Sequence, residues 1–203
     1  MKKTCFNFGC GNRRKETSDT EIWVNVDKFG NVGADEVIDL FKMPYPWTDN
    51  MADVIYASHF VEHIPHSLVP YNMDTFPWTN PDQIRLLKLD GFFAFFEECW
   101  RILKPNGVID LEFPYGFSDG AFQDPTHTRY IVLQTLSYLH RDESDNAPFD
   151  YGLRCNFDMN TIDLKIQPVD LSDVEKGFDD LSRRAVNQIN IYRNIQVKMV
   201  AKK

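Results

Sequence analysis

Four short stretches of the chain carry residue types suited to a nucleoside-like ligand, and each closes an apolar run. Gly9-Cys10-Gly11-Asn12 offers glycines, which lack a Cβ and let a ligand approach the backbone. Asp27 ends the run 22–26, where a carboxylate suits the paired hydroxyls of a ribose. Asp39-Leu40 couples an acid with a hydrophobe, a match for an adenine amine and its ring face, and Ser58-His59 completes the set. In an open α/β sheet ligands bind beyond the carboxyl ends of the strands, so four such strand ends describe one cleft. A second group, Tyr115, Asp124, His127, Arg129 and Tyr130, follows the apolar run 108–113. Within it His127 is the candidate general base and Asp124 the group that would orient it.

These residues need a scaffold, and the periodicity supplies one. Strands are expected at Lys3–Phe8, 22–26, 36–40 and Ala52–Ser58, the last with an apolar middle suited to burial on both faces. Further strands are expected at 108–113, 157–166 and 195–201. Asp90 caps a helix whose Phe92, Phe93, Phe96, Trp100 and Leu103 recur at helical spacing, and Lys104-Pro105-Asn106-Gly107 ends it. A helix is expected over 128–140, and Ser172 and Glu175 form a capping box for another over 172–189. Residues 12–21 hold no apolar side chain, which excludes a core-facing helix there. Residues 65–89, rich in proline and aromatics, read as an irregular lid-like insert. Strands separated by longer segments imply crossovers, hence a single α/β domain over 1–203 with a mostly parallel sheet.

Composition narrows the classes. With 30 acidic against 22 basic residues the net charge is −8, which disfavours general binding to nucleic acid or anionic membranes. No apolar run approaches the roughly 20 residues needed to span a bilayer. The lysines at the start precede no apolar signal segment, and the 4 cysteines show no paired spacing, so a reduced, cytoplasmic chain is expected.

Taken in order, Phe6-Asn7-Phe8-Gly9-Cys10-Gly11-Asn12, Val24-Asn25-Val26-Asp27, Ile38-Asp39-Leu40, the stretch Asp53 to Ile64 and the stretch Glu98 to Gly107 resemble the motifs of class I S-adenosylmethionine-dependent methyltransferases, and among them the type 11 branch. The resemblance covers about residues 3–130. It implies a Rossmann-like sheet of seven strands, all parallel except the last. It also implies S-adenosyl-L-methionine as cofactor. Asn7, Gly9, Cys10, Gly11 and Asn12 would lie along its methionine part, Asp27 at the ribose, Asp39 and Leu40 at the adenine, and Ser58 and His59 beside the sulfonium. Methyl transfer is an in-line displacement, so alignment matters more than activation. The acceptor needs to be held on the far side, with His127 and Asp124 available for its proton.

Two departures from the family pattern stand out. The helix after the first glycine loop is replaced by the polar run 12–21, and Arg13, Arg14 or Lys15 could substitute for its N-terminus at the cofactor carboxylate. One sheet face thereby loses cover, which the 172–189 helix or a second subunit of a homodimer would restore. The insert 65–89 is the candidate lid that shapes the acceptor pocket. An acidic surface and an aromatic insert suit a small-molecule acceptor. Two competing readings remain: a non-catalytic cofactor-binding protein of the same fold, and a zinc hydrolase using His59-x-x-Glu62-His63 with His66 nearby. Zinc in that pattern needs a continuous helix, whereas here the motif directly follows a strand and Pro65 interrupts it, so no metal is expected.

Overall fold

The computed structural model describes residues 1–70, 73–74, 78–141, 151–168, 183–185 and 187–203, with only the backbone for 159–166. Among the described residues there are nine strands: β1 Lys3–Phe8, β2 Glu21–Asp27, β3 Glu36–Val37, β4 Lys42–Met43, β5 Ala52–Ser58, β6 Val69–Pro70, β7 Leu103–Pro114, β8 Phe157–Pro168 and β9 Tyr192–Ala201. Seven form one sheet in the order β3-β2-β1-β5-β7-β9-β8, while β4 and β6 form a separate parallel pair. Within the large sheet β9 runs antiparallel to both β7 and β8, and the other pairings are parallel. This is the expected Rossmann-like sheet with its antiparallel last strand.

One face of that sheet holds the core. Phe6, Phe8, Val26, Ile55, Ala57, Ile109, Leu111, Phe113, Ile195, Val197 and Met199 alternate along their strands onto this face and are buried. Against them packs α2, Gly91–Ile102, which starts where the Asp90 carboxylate accepts the Phe92 N–H at 2.9 Å. Phe95 and Phe96 of α2 are fully buried, and Phe8 meets Phe95, Tyr45 and Trp47. At roughly 1.5–3 kcal/mol for each buried large side chain, this layer dominates stability. The charges of Glu98 and Arg101 on α2 serve it structurally. Glu98 accepts two N–H groups of Arg101 (2.7 and 2.8 Å) and the Tyr45 N–H (2.7 Å), and Arg101 donates onward to the Trp47 carbonyl at 2.7 Å, so the 45–49 loop is tied to the helix.

The opposite face is different. Asn7, Tyr56, Asp110 and Lys198 lie in register across β1, β5, β7 and β9, as do Ser58, Glu112 and Gln196 one row further. Apart from the buried Asn7 these are half-buried, so β5 is not buried on both faces as its apolar middle suggested. The polar run 12–20 lies across the β1–β2 end of this face without forming a helix. Buried Asn7 donates from Nδ2 to the Arg13 carbonyl (3.0 Å) and to Asn25 Oδ1 (2.9 Å). Asn25 in turn accepts the Lys15 N–H (2.7 Å) and donates to the Lys15 carbonyl (3.0 Å) and Asp35 (2.7 Å). Lys15 Nζ then sits 3.8 Å from the centre of the Tyr56 ring and 4.9 Å from that of Trp23. The cover expected from residues 172–189 falls mostly outside the described residues.

Three expected elements differ. The third strand stops at Val37, because Asp39 bends the chain: its Oδ1 accepts the Phe41 N–H at 3.1 Å and its carbonyl the Lys42 N–H at 3.0 Å, replacing ladder bonds. The insert 65–89 is not irregular throughout, since Asn80 caps a helix α1, Pro81–Lys88, with proline in its first turn. The helix expected over 128–140 shrinks to α4, Leu133–Ser137, following a one-turn α3, Asp119–Phe122. Thr128 and Arg129 instead both donate their N–H groups to the Glu62 carbonyl, at 2.9 and 3.1 Å.

Candidate functional site

The glycine loop after β1 is shaped by two left-handed positions, Gly9 at φ +64° and Gly11 at φ +46°. A Cβ on Gly9 would stand 2.5 Å from the Phe60 ring, so a side chain is excluded there by contact as well as by conformation. Around Gly11 the space is open: nothing lies within 4 Å of the position a Cβ would take. Its N–H donates to Asp27 Oδ2 at 2.9 Å, and the Phe29 N–H donates to Asp27 Oδ1 at 3.0 Å. Each carboxylate oxygen keeps a lone pair, and the two are oriented by rigid backbone. The Asp27 carbonyl accepts the Ile38 N–H at 2.9 Å, which brings the 38–40 turn alongside. Leu40 is buried there and Asp39 half-buried. Phe60 stacks on Phe41 at 5.6 Å and 28°, forming an aromatic wall beside Gly9. Gly9, Gly11, Asp27 and Phe60 thus share bonds or contacts, with Leu40 and Asp39 adjoining.

Other candidates take supporting places. Asn7 is buried on the far face and holds the 12–20 run, Asn12 is exposed, and the Cys10 side chain is buried with its thiol pKa raised by burial and by Asp27. Of the basic trio, Arg14 pairs with Asp35 at 2.8 Å and Lys15 covers Tyr56, while the charge of Arg13 is felt by His59. Sequence periodicity marks neither Phe60 nor Arg13. The signal for Phe60 is its place two residues after Ser58, where the strand must turn past Gly9.

Beyond β5, His59 adopts φ +52° with its N–H donated to the Glu112 carbonyl at 2.8 Å. A non-glycine residue in that region stores about 1–3 kcal/mol, a cost common at functional sites. His59 Nδ1 stands 3.3 Å from Glu62 Oε1, close enough to attract but misaligned for a hydrogen bond. That approach raises the His59 pKa, opposed by burial and by Arg13. Val61–His63 form one 3-10 turn, so the continuous helix required by a His-x-x-Glu-His hydrolase is absent, and His66 instead faces Asp90 at 3.1 Å.

His127 reaches the same edge from the loop after α3. Its Nδ1 lies 2.9 Å from the Ala121 carbonyl, which only accepts, so Nδ1 is the donor and Nε2 is the nitrogen turned to other partners. Asp124 meets His127 through its backbone, its carbonyl accepting the His127 N–H at 3.1 Å, while its carboxylate turns to Thr126. Its Oδ1 accepts from the N–H and hydroxyl of Thr126 (2.8 and 2.7 Å), and the Thr126 oxygen stands 3.0 Å from His63 Nδ1. The hydroxyl proton being committed to Asp124, that oxygen accepts from His63. The His63 and His127 rings meet edge-on at 4.7 Å. Both line a cleft of about 540 Å³, with His59, Asp119 and Arg193 among its walls.

No family model matches the sequence, and no curated protein matches it. Solved structures do. A SAM-dependent methyltransferase from Archaeoglobus fulgidus superposes with a TM-score of 0.55 at 17% identity, over 99% of this chain and 86% of that one. Phosphoethanolamine N-methyltransferase 2 of Haemonchus contortus, solved with phosphomonomethylethanolamine and S-adenosylhomocysteine, gives 0.53 at 14% identity, over 99% and 49% of the two chains. The 1,6-didemethyltoxoflavin-N1-methyltransferase of Burkholderia thailandensis, with its acceptor and S-adenosylhomocysteine bound, gives 0.50 at 11%, over 100% and 72%. The chain has the class I methyltransferase fold.

The residues present at the cofactor edge of this methyltransferase fold fit S-adenosylmethionine. The open space at Gly11 leaves room for a ligand against the backbone. Asp27 adds an acceptor pair whose geometry is set by two N–H donors and whose spare lone pairs match a vicinal diol. Among the described residues no helix is long and apolar enough to cross a membrane.

Proposed function

We propose that the chain is an S-adenosylmethionine-dependent methyltransferase acting on a small-molecule acceptor. The observation that carries this reading is the Asp27 carboxylate, pinned between the Gly11 and Phe29 amides at the mouth of an open glycine loop. S-adenosylmethionine, when bound, supplies a sulfonium-activated methyl group that leaves by in-line displacement. Asp27 would accept from the ribose hydroxyls, and Asp39 with Leu40 would flank the adenine. Gly9 to Asn12 would run beside the methionine part, with Arg13 balancing its carboxylate, and Ser58 and His59 would floor the reacting end. On the acceptor side His127 would take the acceptor's proton at Nε2, with Ala121 holding the ring and Asp124 acting through Thr126 on His63. The cleft beside these imidazoles has the size of a small-molecule site. A single domain over 1–203 with the 65–89 segment as its lid completes the reading, and the free, buried cysteines among the described residues fit a reducing cytoplasmic setting.

Calorimetry with S-adenosylmethionine and S-adenosylhomocysteine tests this directly. Micromolar binding of both is expected, reduced at least about tenfold by Asp27→Ala, which corresponds to about 1.4 kcal/mol. Folded protein that binds neither ligand would refute the reading, and unchanged affinity in Asp27→Ala would refute its residue assignment.

A further inference from the structure

Three side chains at the acceptor edge are arranged as a ligand set. One carboxylate oxygen of Glu62 and one ring nitrogen each of His63 and His127 lie within 4.8 Å of one another. The histidines come from positions far apart in the chain, so no local periodicity brings them together. Glu62 is 2% exposed, yet neither of its carboxylate oxygens has a hydrogen-bond partner among the described residues. Leaving an ionised carboxylate buried without hydrogen bonds costs several kcal/mol, so such a group normally finds a partner or a metal. The misaligned approach of His59 at 3.3 Å does not provide the missing bonds.

The imidazoles are prepared in the way metal-ligating histidines are. His127 gives its Nδ1 proton to the Ala121 carbonyl at 2.9 Å. His63 gives its Nδ1 proton to Thr126, whose hydroxyl is in turn held by Asp124 at 2.7 Å. Each ring thus has Nδ1 engaged as a donor, which leaves Nε2 as the nitrogen able to bind a metal, the outer-shell arrangement that orients histidine ligands and raises their basicity. Two neutral imidazoles and one carboxylate suit a first-row transition cation, with positions left open toward the cleft. Bonds of about 2.1 Å in tetrahedral geometry place ligand atoms roughly 3.4 Å apart, so small side-chain rotations close the set.

We propose that Glu62, His63 and His127 form a binding site for a divalent first-row transition metal ion at the acceptor edge of the cleft, with its open coordination positions available to oxygen atoms of the acceptor. The site reverses the sequence-based expectation of a metal-free edge, and it differs from the His59-x-x-Glu62-His63 pattern in taking its third ligand from the loop after α3. Its place beside the methyl donor rests on the methyltransferase reading, but the ligand set does not. Metal binding and the proton-accepting role use the same His127 lone pair, so measured metal content decides between them.

The test uses full-length protein stripped with EDTA and titrated with Zn²⁺, Mn²⁺ and Co²⁺, with metal content read by elemental analysis and Co²⁺ coordination by its visible absorption. One equivalent is expected for at least one of these ions, with affinity falling about 10–100-fold in His127→Ala and in Glu62→Gln. S-adenosylhomocysteine affinity in both variants should stay within about threefold of the parent. If Glu62→Gln fails to fold by circular dichroism, His63→Ala takes its place with the same expectation. Folded parent protein that binds none of the three ions at 100-fold excess, or binding unchanged by His127→Ala, would overturn the site. Stoichiometric metal in a protein that binds no S-adenosylhomocysteine would instead overturn the methyltransferase reading and leave the metal site standing.

Discussion

Asn7 and Phe8 are neighbours on β1 and belong to two different worlds. Phe8 faces α2 and is enclosed by Tyr45, Trp47 and Phe95, and the apolar residues in register with it are buried on the same face. Asn7 faces the other side, where its amide holds the polar run 12–20 by hydrogen bonds and the sheet continues as Tyr56, Asp110 and Lys198. Mostly parallel sheets are usually buried on both faces because helices cross on each side. Here one crossover has been reduced to a polar segment, and specific hydrogen bonds take the place of apolar area. The lesson is a division of labour: the helix-covered face carries stability, and the polar face positions the run that leads out of the glycine loop.

The sharpest way to break this comparison is to cut into each face in turn. Phe8→Ala leaves a cavity in the packed layer, and a loss of about 3–5 kcal/mol is expected in urea or thermal unfolding. A loss below about 1 kcal/mol would mean that this face is not the main store of stability. Asn25→Ala removes a side chain that uses all its hydrogen-bonding capacity, on Asn7, Lys15 and Asp35. It should cost about 1–3 kcal/mol through the groups left unpaired. Because the run it anchors begins at the glycine loop, S-adenosylhomocysteine affinity should weaken several-fold, a readout Phe8→Ala should move less in protein that remains folded. Equal effects of the two variants on affinity would erase the distinction between the faces.

The smallest effect belongs to pH, and on the polar face it centres on Asp35. Bonds from the Asn25 backbone and side chain hold the Asp35 pKa below the ordinary carboxylate value, burial opposes them weakly, and Arg14 adds to the lowering. A carboxylate depressed on folding stabilises the native state above its unfolded pKa, near 4, and that contribution fades as pH falls through the lower folded value. Stability should therefore decline modestly between about pH 5 and pH 2, and Asp35→Asn should flatten part of that slope. Hydrogen exchange should show residues 12–20 opening before β1 itself. An Asp35→Asn variant with the parent's pH slope would remove Asp35 from this account.

Much of this architecture was legible in the chain itself. The alternation of Thr4, Phe6 and Phe8, the capping Asp90 and the helical spacing of Phe92, Phe96 and Trp100 are local signals that the structure follows closely. The expectations that differ involve competition from distant partners. Residues 128 and 129 look helical but give their N–H groups to Glu62, and Leu40 looks strand-like but follows a turn made by Asp39. The helix α1 was hidden by the prolines around it, one of which, Pro81, begins the helix rather than preventing it.

By itself the sequence determined the succession of strands and most of the residues that close them, Gly9 to Asn12, Asp27 and Ser58, because apolar periodicity and turn chemistry act over a few residues. Only the tertiary structure decided which distant groups meet. It set Phe60 against Gly9, left the space beside Gly11 open and laid a polar run over Asn7 and Asn25. It also joined Glu62 and His63 to His127 across the β5–β7 edge, with Thr126 and Ala121 fixing the rings. The physical reason is that strand order and crossover geometry fix these approaches, and neither is written in any short stretch of the chain.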